Sequence, residues 1–148
     1  MTLSDEKNLS LHREDPYPLQ NHLGFELKEW RKNFCLVELP IKPFLLNRYG
    51  IPHGGIHATL LDTAMGYCAC YSENPNTPIF AMTLSLTVNY LGQSTGNTLI
   101  AEAHQTGGGR KTFFAQGSVT DDTGMIIATA TGVFRFRAGA NQNSKKKE

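Results

Sequence analysis

The run Gly50-Ile51-Pro52-His53-Gly54-Gly55, with Asp62 eight positions beyond Gly54, holds the parts needed to attack a carbonyl. Paired glycines let a backbone approach another group closely. At the start of a helix their N–H groups sit at the positive end of the dipole, where growing negative charge is stabilised. Asp62 is the one acid within residues 56–71, and the next, Glu73, follows that stretch. A lone carboxylate in apolar surroundings is costly unless something binds or uses it. It can deprotonate a water or attack the carbonyl directly to give a mixed anhydride, and the residues do not choose between these routes. A helical rise of roughly 1.5 Å per residue puts Gly54 and Asp62 about 12 Å apart along the axis. A carbonyl held at the helix start therefore cannot touch its own chain's Asp62. Either the two are unrelated, or a two-fold dimer with antiparallel helices brings one chain's acid to the other's glycine.

These residues need a helix to carry them and a sheet to cover it. Residues 56–71 read as that helix: Ile56, Leu60, Ala64 and Tyr67 repeat at helical spacing, and Leu61, Met65 and Cys68 widen the stripe almost all round, as in a buried helix. Two short strands are predicted before it, residues 24–30 and 33–41, turning at Arg31-Lys32 and stopped by Pro40 and Pro43. Four strands are predicted after it, residues 80–90, 98–106, 111–120 and 125–137, in hairpin sequence. In the first of these, Phe80, Met82, Leu84, Leu86, Val88 and Tyr90 alternate with Ala81, Thr83, Ser85, Thr87 and Asn89 as two faces. The expected architecture is α+β, an antiparallel sheet wrapped around one long central helix. The domain is expected over residues 16–137, between a flexible arm, residues 1–15, and a disordered tail, residues 138–148.

Composition narrows the function. The chain has 148 residues, enough for one domain with a real core. A net charge of +1 gives no broad pull toward nucleic acid or anionic membrane. Charged residues are 18%, below the usual quarter, a hint of surface buried against other subunits. Cys35, Cys68 and Cys70 cannot all pair within one chain and lack zinc-ligand spacing, so packing thiols in a reducing, cytoplasmic setting are expected. The first fifteen residues lack the apolar run of a signal peptide, and no stretch reads as a membrane span. His53 and His57 have the spacing of a zinc pair, but no glutamate follows His53 and no third ligand is evident, so no metal is expected. There is no Gly-x-Ser-x-Gly elbow and no phosphate-loop or dinucleotide fingerprint.

The chain resembles the hotdog-fold thioesterases, in the branch of the phenylacetyl-CoA thioesterases and the acyl-CoA thioesterase 13 type. The likeness lies in Asn47-x-x-Gly50-x-x-His53-Gly54-Gly55, in Ala58-Thr59-Leu60-Leu61-Asp62, in Val88-Asn89-Tyr90, and in the glycine corner with Arg110-Lys111-Thr112. It runs over roughly residues 24–136. It implies the hotdog fold, hydrolysis of an acyl-CoA to a carboxylic acid and free CoA, homodimers that pair into tetramers, and no cofactor beyond the CoA of the substrate. Asp62 matches the catalytic carboxylate, and Gly54 the backbone N–H that holds the thioester oxygen. Asn47 and His53 match groups around that carbonyl, and Thr83 a hydroxyl near the attacking water. Gly55, Tyr90, Gly108, Gly109, Arg110, Lys111 and Thr112 match positions that hold substrate or lie on CoA.

Each residue also has a plainer reading. Asp62 can be a structural acid bonded to backbone, His53 a helix-start residue, Asn47 a loop former, Thr83 an outward strand residue, and Gly107-Gly108-Gly109 a hairpin bend. The cations Arg110 and Lys111 suit the phosphates of CoA. Arg135 and Arg137 read as a solvated strand edge. Tyr67, Phe80 and Met82 read equally as pocket lining or core. Two further functions stay open: a hydratase or dehydratase of acyl thioesters on the same fold, and a non-catalytic acyl-CoA binding protein. The acyl group is undecided between aromatic, short and medium chain.

Overall fold

The computed structural model describes residues 14–138; most of the expected arm and tail, residues 1–13 and 139–148, lies outside the described residues. The elements are α1 (Pro18–Leu23), β1 (Glu26–Arg31), β2 (Phe34–Pro40), a 3-10 turn (Pro43–Leu45), α2 (Gly54–Cys68), β3 (Phe80–Tyr90), β4 (Thr98–Gly108), β5 (Thr112–Asp121) and β6 (Ile126–Arg137). The strands form one antiparallel sheet in the order β1-β2-β4-β5-β6-β3. α2 packs on one face of it, touching every strand. The core is the layer between them: Val37, Leu39, Leu99, Phe113 and Phe134 from the sheet against Leu60, Leu61, Ala64 and Met65 from α2. This is the expected α+β architecture, one long helix held by one sheet. No helix among the described residues is long and apolar enough to cross a membrane.

α2 starts where its sequence dictates. His53 has extended backbone (φ −61°, ψ 137°) and its Nδ1 accepts the Gly55 N–H at 2.9 Å, a side-chain cap on a first-turn donor. The helix stops at Cys68 rather than Tyr71. Trp30 Nε1 donates to the Tyr67 carbonyl at 2.9 Å, and Cys70 N–H reaches the same oxygen at 2.9 Å. A last-turn carbonyl is thus satisfied from β1, a tertiary contact without a local signal.

Three expectations are corrected. First, β3 and β4 are not a hairpin: β3 pairs with β6 at the sheet edge, and β4 pairs with β2 and β5. Residues 91–97 form a crossing loop, tied down by buried Asp121, which accepts from Ser94 Oγ at 3.1 Å, Thr95 N–H at 2.9 Å and Gly96 N–H at 3.0 Å. A turn-rich loop reads alike in both topologies. Second, β3 does not keep one alternation. Its register with β6 shifts between Thr83 and Ser85, so Ala81 and Thr83 face α2 and then Leu86, Val88 and Tyr90 do, while Met82 and Leu84 point outward. Third, α2 is not covered all round. His57, Leu60, Leu61, Ala64, Met65 and Cys68 are buried, whereas Gly55, Ala58, Thr59, Asp62, Thr63 and Gly66 stay partly open. Asp62 is half-buried, so its cost of desolvation is smaller than a core position would impose.

Candidate active site

The expected site residues fall into three clusters. The first surrounds the start of α2. Asn47 shapes the loop before it: its Oδ1 accepts the Tyr49 N–H at 2.9 Å and the Ile51 N–H at 3.4 Å. That is the plainer reading of Asn47, and its side-chain oxygen is occupied with backbone. His53 caps the helix as described. The Gly54 N–H has no acceptor among the described residues and lies at the positive helix end. Tyr90, at the end of β3, donates its hydroxyl to the Gly54 carbonyl at 2.7 Å. A Cβ on Gly54 would stand 3.3 Å from the Tyr90 ring, so only glycine leaves this approach relaxed.

The second cluster lies farther along α2. Thr83 Oγ1 donates to Asp62 Oδ1 at 2.5 Å. Thr83 is therefore not an outward residue, and among the described residues no backbone donor reaches the Asp62 carboxylate. Both line a cavity of about 240 Å³. The cavity follows the helix face from Asp62 past Gly66 to Cys70, and Gly66 makes room by having no side chain. Tyr17, Tyr67 and Phe80 also line it. Tyr67 and Phe80 are thus lining; Met82 is not, because the β3 bulge turns it outward. Reading the sequence missed Glu14, Tyr17 and Cys70, which also line this space. Glu14 and Tyr17 come from a segment without periodicity, and no local signal places it over α2. Tyr67 donates to Glu14 at 3.4 Å. Burial pushes the Tyr67 hydroxyl up, with the Glu14 charge adding to it. Burial likewise pushes Cys68 and Cys70 up to about 12, so both stay thiols at neutral pH.

The third cluster is the β4–β5 turn. Gly108 has φ +140°, and a Cβ there would meet Phe113 Cα and the Thr112 carbonyl at 2.6 Å. The turn closes with Gly109 N–H on the Thr112 carbonyl at 2.8 Å. Gly108 is thus required by the bend alone, while Arg110 and Lys111 are exposed beside it.

Comparison with known proteins fits this layout. A family model described as the thioesterase superfamily matches residues 49–128, from the loop before α2 into β6. A medium/long-chain acyl-CoA thioesterase, YigI of Salmonella typhimurium, is 25% identical over 130 residues, covering 79% of this chain and 84% of that protein. A 1,4-dihydroxy-2-naphthoyl-CoA hydrolase of Listeria monocytogenes is 25% identical over 109 residues, covering 74% and 87%. The solved structure of the PaaI protein from the phenylacetic acid degradation operon of E. coli superposes with a TM-score of 0.74 at 22% identity, covering 92% of this chain and 94% of that one.

Proposed function

The chain belongs to the thioesterase superfamily, and from that premise we propose that it hydrolyses an acyl-CoA thioester to a carboxylic acid and free CoA. The carrying observation is the Thr83–Asp62 hydrogen bond inside a cavity that runs along α2. Thr83 holds Oδ1 and leaves Oδ2 to take a proton from water. The water adds to the thioester carbonyl, the oxygen takes up negative charge, and the tetrahedral adduct collapses to acid and thiol. The Gly54 N–H donates to that oxygen; losing one such donor costs on the order of 3 kcal/mol of barrier.

Within one rigid helix the two groups are about 12 Å apart, so the reading takes Gly54 from a second copy in a two-fold dimer. Edge strand β3 supports this pairing. Among the described residues one side of it is unpaired, an open edge that a further strand can fill. A second β3 laid antiparallel along that edge continues the sheet and brings the two α2 helices side by side.

The acyl group goes into the Asp62 cavity. Its volume of about 240 Å³ in one chain leaves room for an aryl, short-chain or medium-chain acyl group. Arg110 and Lys111 are placed to meet the phosphates of CoA, and the reaction calls for no cofactor or metal.

Thiol release from a panel of acyl-CoAs tests the reading. Wild type releases CoA from aryl, short-chain or medium-chain substrates of the panel, and Asp62→Asn removes most of kcat without unfolding the chain. Near-normal turnover by Asp62→Asn overturns the assignment. Water addition to an unsaturated acyl-CoA without thiol release marks a hydratase instead.

A further inference from the structure

The peptide that presents the Gly54 N–H is held from its other side. In a planar trans unit the His53 carbonyl points opposite to the Gly54 N–H. His57 Nδ1 lies 3.2 Å from that carbonyl, and the Ile56 N–H donates to it at 2.9 Å. A carbonyl can only accept, so His57 carries its proton on Nδ1 and a bare lone pair on Nε2. His57 is 4% exposed, and Nε2 is buried without a hydrogen-bond partner among the described residues. An orphaned buried acceptor is costly. An apolar residue would fill the same space between α2 and β3 without that cost, so packing does not account for an imidazole here.

The next peptide is held as well. The Tyr90 hydroxyl donates to the Gly54 carbonyl at 2.7 Å, and the Gly55 N–H donates to His53 Nδ1 at 2.9 Å. The Tyr90 ring meets the His57 ring edge-on, 6.0 Å between centroids at 89°. Two consecutive peptides are thus fixed by side chains from the loop, from α2 and from β3.

We propose that His57 and Tyr90 are positioning residues that together fix the direction of the Gly54 N–H toward the thioester oxygen. His57 holds the carbonyl of the same peptide unit, and Tyr90 holds the carbonyl of the following one while bracing the His57 ring. Neither touches the reacting atoms. This rests on the reading of Gly54 as the oxyanion donor. It explains the orphaned Nε2: the imidazole is kept for its other nitrogen, and burial holds the ring below its ordinary pKa of 6.5, neutral, so that Nε2 carries no charge beside the positive helix end.

The test compares wild type with His57→Leu, His57→Asn and Tyr90→Phe, using an acyl-CoA that wild type hydrolyses. His57→Leu keeps the packing and loses the donor; kcat falls on the order of 100-fold, as for a misplacement of about 1 Å, with KM within about threefold. His57→Asn carries an amide N–H near the position of Nδ1 and recovers most of the lost kcat. Tyr90→Phe lowers kcat in the same sense. Imidazole 15N shifts of the wild-type chain report His57 as Nδ1–H with a bare Nε2. The proposal fails if His57→Asn is as slow as His57→Leu, if the loss appears in KM or Tm alone, or if the ring is the Nε2–H tautomer. A wild-type chain that hydrolyses no thioester takes down the thioesterase reading together with this one, whereas an active wild type with an equally active His57→Leu takes down this one alone.

Discussion

Thr83 reaches Asp62 because β3 is broken at one point. Its Oγ1 donates to Asp62 Oδ1 at 2.5 Å. On an unbroken strand Thr83 would share a face with Ser85, Thr87 and Asn89, away from Leu86 and Val88. The shift between Thr83 and Ser85 lets Thr83 and the later apolar residues face α2 together. A bulge in the edge strand therefore couples the packing of α2 to the placement of the one hydroxyl that orients its carboxylate.

Thr83→Val keeps the branched shape and removes the hydroxyl. A hydrogen bond to a charged group supports a fall in kcat of about 10- to 100-fold. Thr83→Ser, which keeps the donor, stays within about threefold of wild type. If Thr83 acts through Asp62, Thr83→Val on top of Asp62→Asn should cost little more than Asp62→Asn alone. Full additivity in steady-state kinetics would separate the two residues and end this account.

A second carboxylate, Asp121, sets a pH dependence of stability rather than of rate. It is 1% exposed and accepts from the Thr123 hydroxyl at 2.5 Å and from the N–H groups of Thr95, Gly96 and Thr123. The Thr123 hydroxyl, then the backbone donors, hold its carboxyl well below its ordinary 3.8. A lowered pKa means that the unfolded chain binds the extra proton first as pH falls. The stabilisation is full above 3.8 and fades as pH drops below it. Asp121→Asn should lower the urea midpoint at pH 7, with the gap to wild type narrowing in acid below pH 3.8. A gap independent of pH would show that the charge is not what matters.

The helix and the places of Gly54 and Asp62 on it are legible in the sequence and the assembly of the sheet is not, for physical reasons. Gly54 and Asp62 declare themselves because paired glycines before an apolar helix, and a single acid within it, are locally improbable. The strand content is likewise local, written in alternation and turn residues. The partner of β3 is not, because residues 91–97 serve a hairpin and a crossing loop equally well. The β3 bulge leaves no mark in an alternation that runs unbroken from Phe80 to Tyr90, so the face of Thr83 was misread while its role was still expected from family likeness. Tyr90 and His57 acquire meaning only when β3 is laid against the start of α2. Tyr17 and Glu14 were hidden because nothing local ties residues 14–17 to the cavity.

The β4–β5 turn separates backbone need from ligand contact. Gly108→Ala places a Cβ 2.6 Å from Phe113 Cα at a φ of +140°, which should cost on the order of 2 kcal/mol of stability. Gly109 has nothing within 4 Å of a built Cβ, and Gly109→Ala should stay within about 0.5 kcal/mol. Equal denaturation midpoints for the two variants would show that the bend relaxes freely.

Arg110 and Lys111 act on binding if they meet CoA phosphates. The double change Arg110→Ala and Lys111→Ala should raise KM for an acyl-CoA about tenfold, the loss of charge-assisted phosphate contacts, and leave kcat near wild type. A thioester of the same acyl group on a short thiol without phosphates should show no change in KM. An equal rise for both substrates would assign the two cations to the fold.

A site shared between two chains makes the sharpest prediction, because two inactive chains should then restore each other. Gly54 is the first residue of α2, a position where proline is tolerated, and the extended backbone of His53 suits a following proline. Gly54→Pro therefore deletes the N–H and keeps the helix start, with the Tyr90 ring giving by a few tenths of an ångström to the added Cβ, and kcat should fall about 100- to 1,000-fold. Asp62→Asn should be inactive for the complementary reason. In a mixed dimer, the Asp62 of the first chain faces the Gly54 of the second, and the other site carries both changes. Equal amounts, unfolded and refolded together, should recover about a quarter of wild-type activity, since half of the dimers are mixed and each holds one intact site. No recovery from a mixture that forms dimers would place both groups in the same chain's site, against the rise of the helix that holds them.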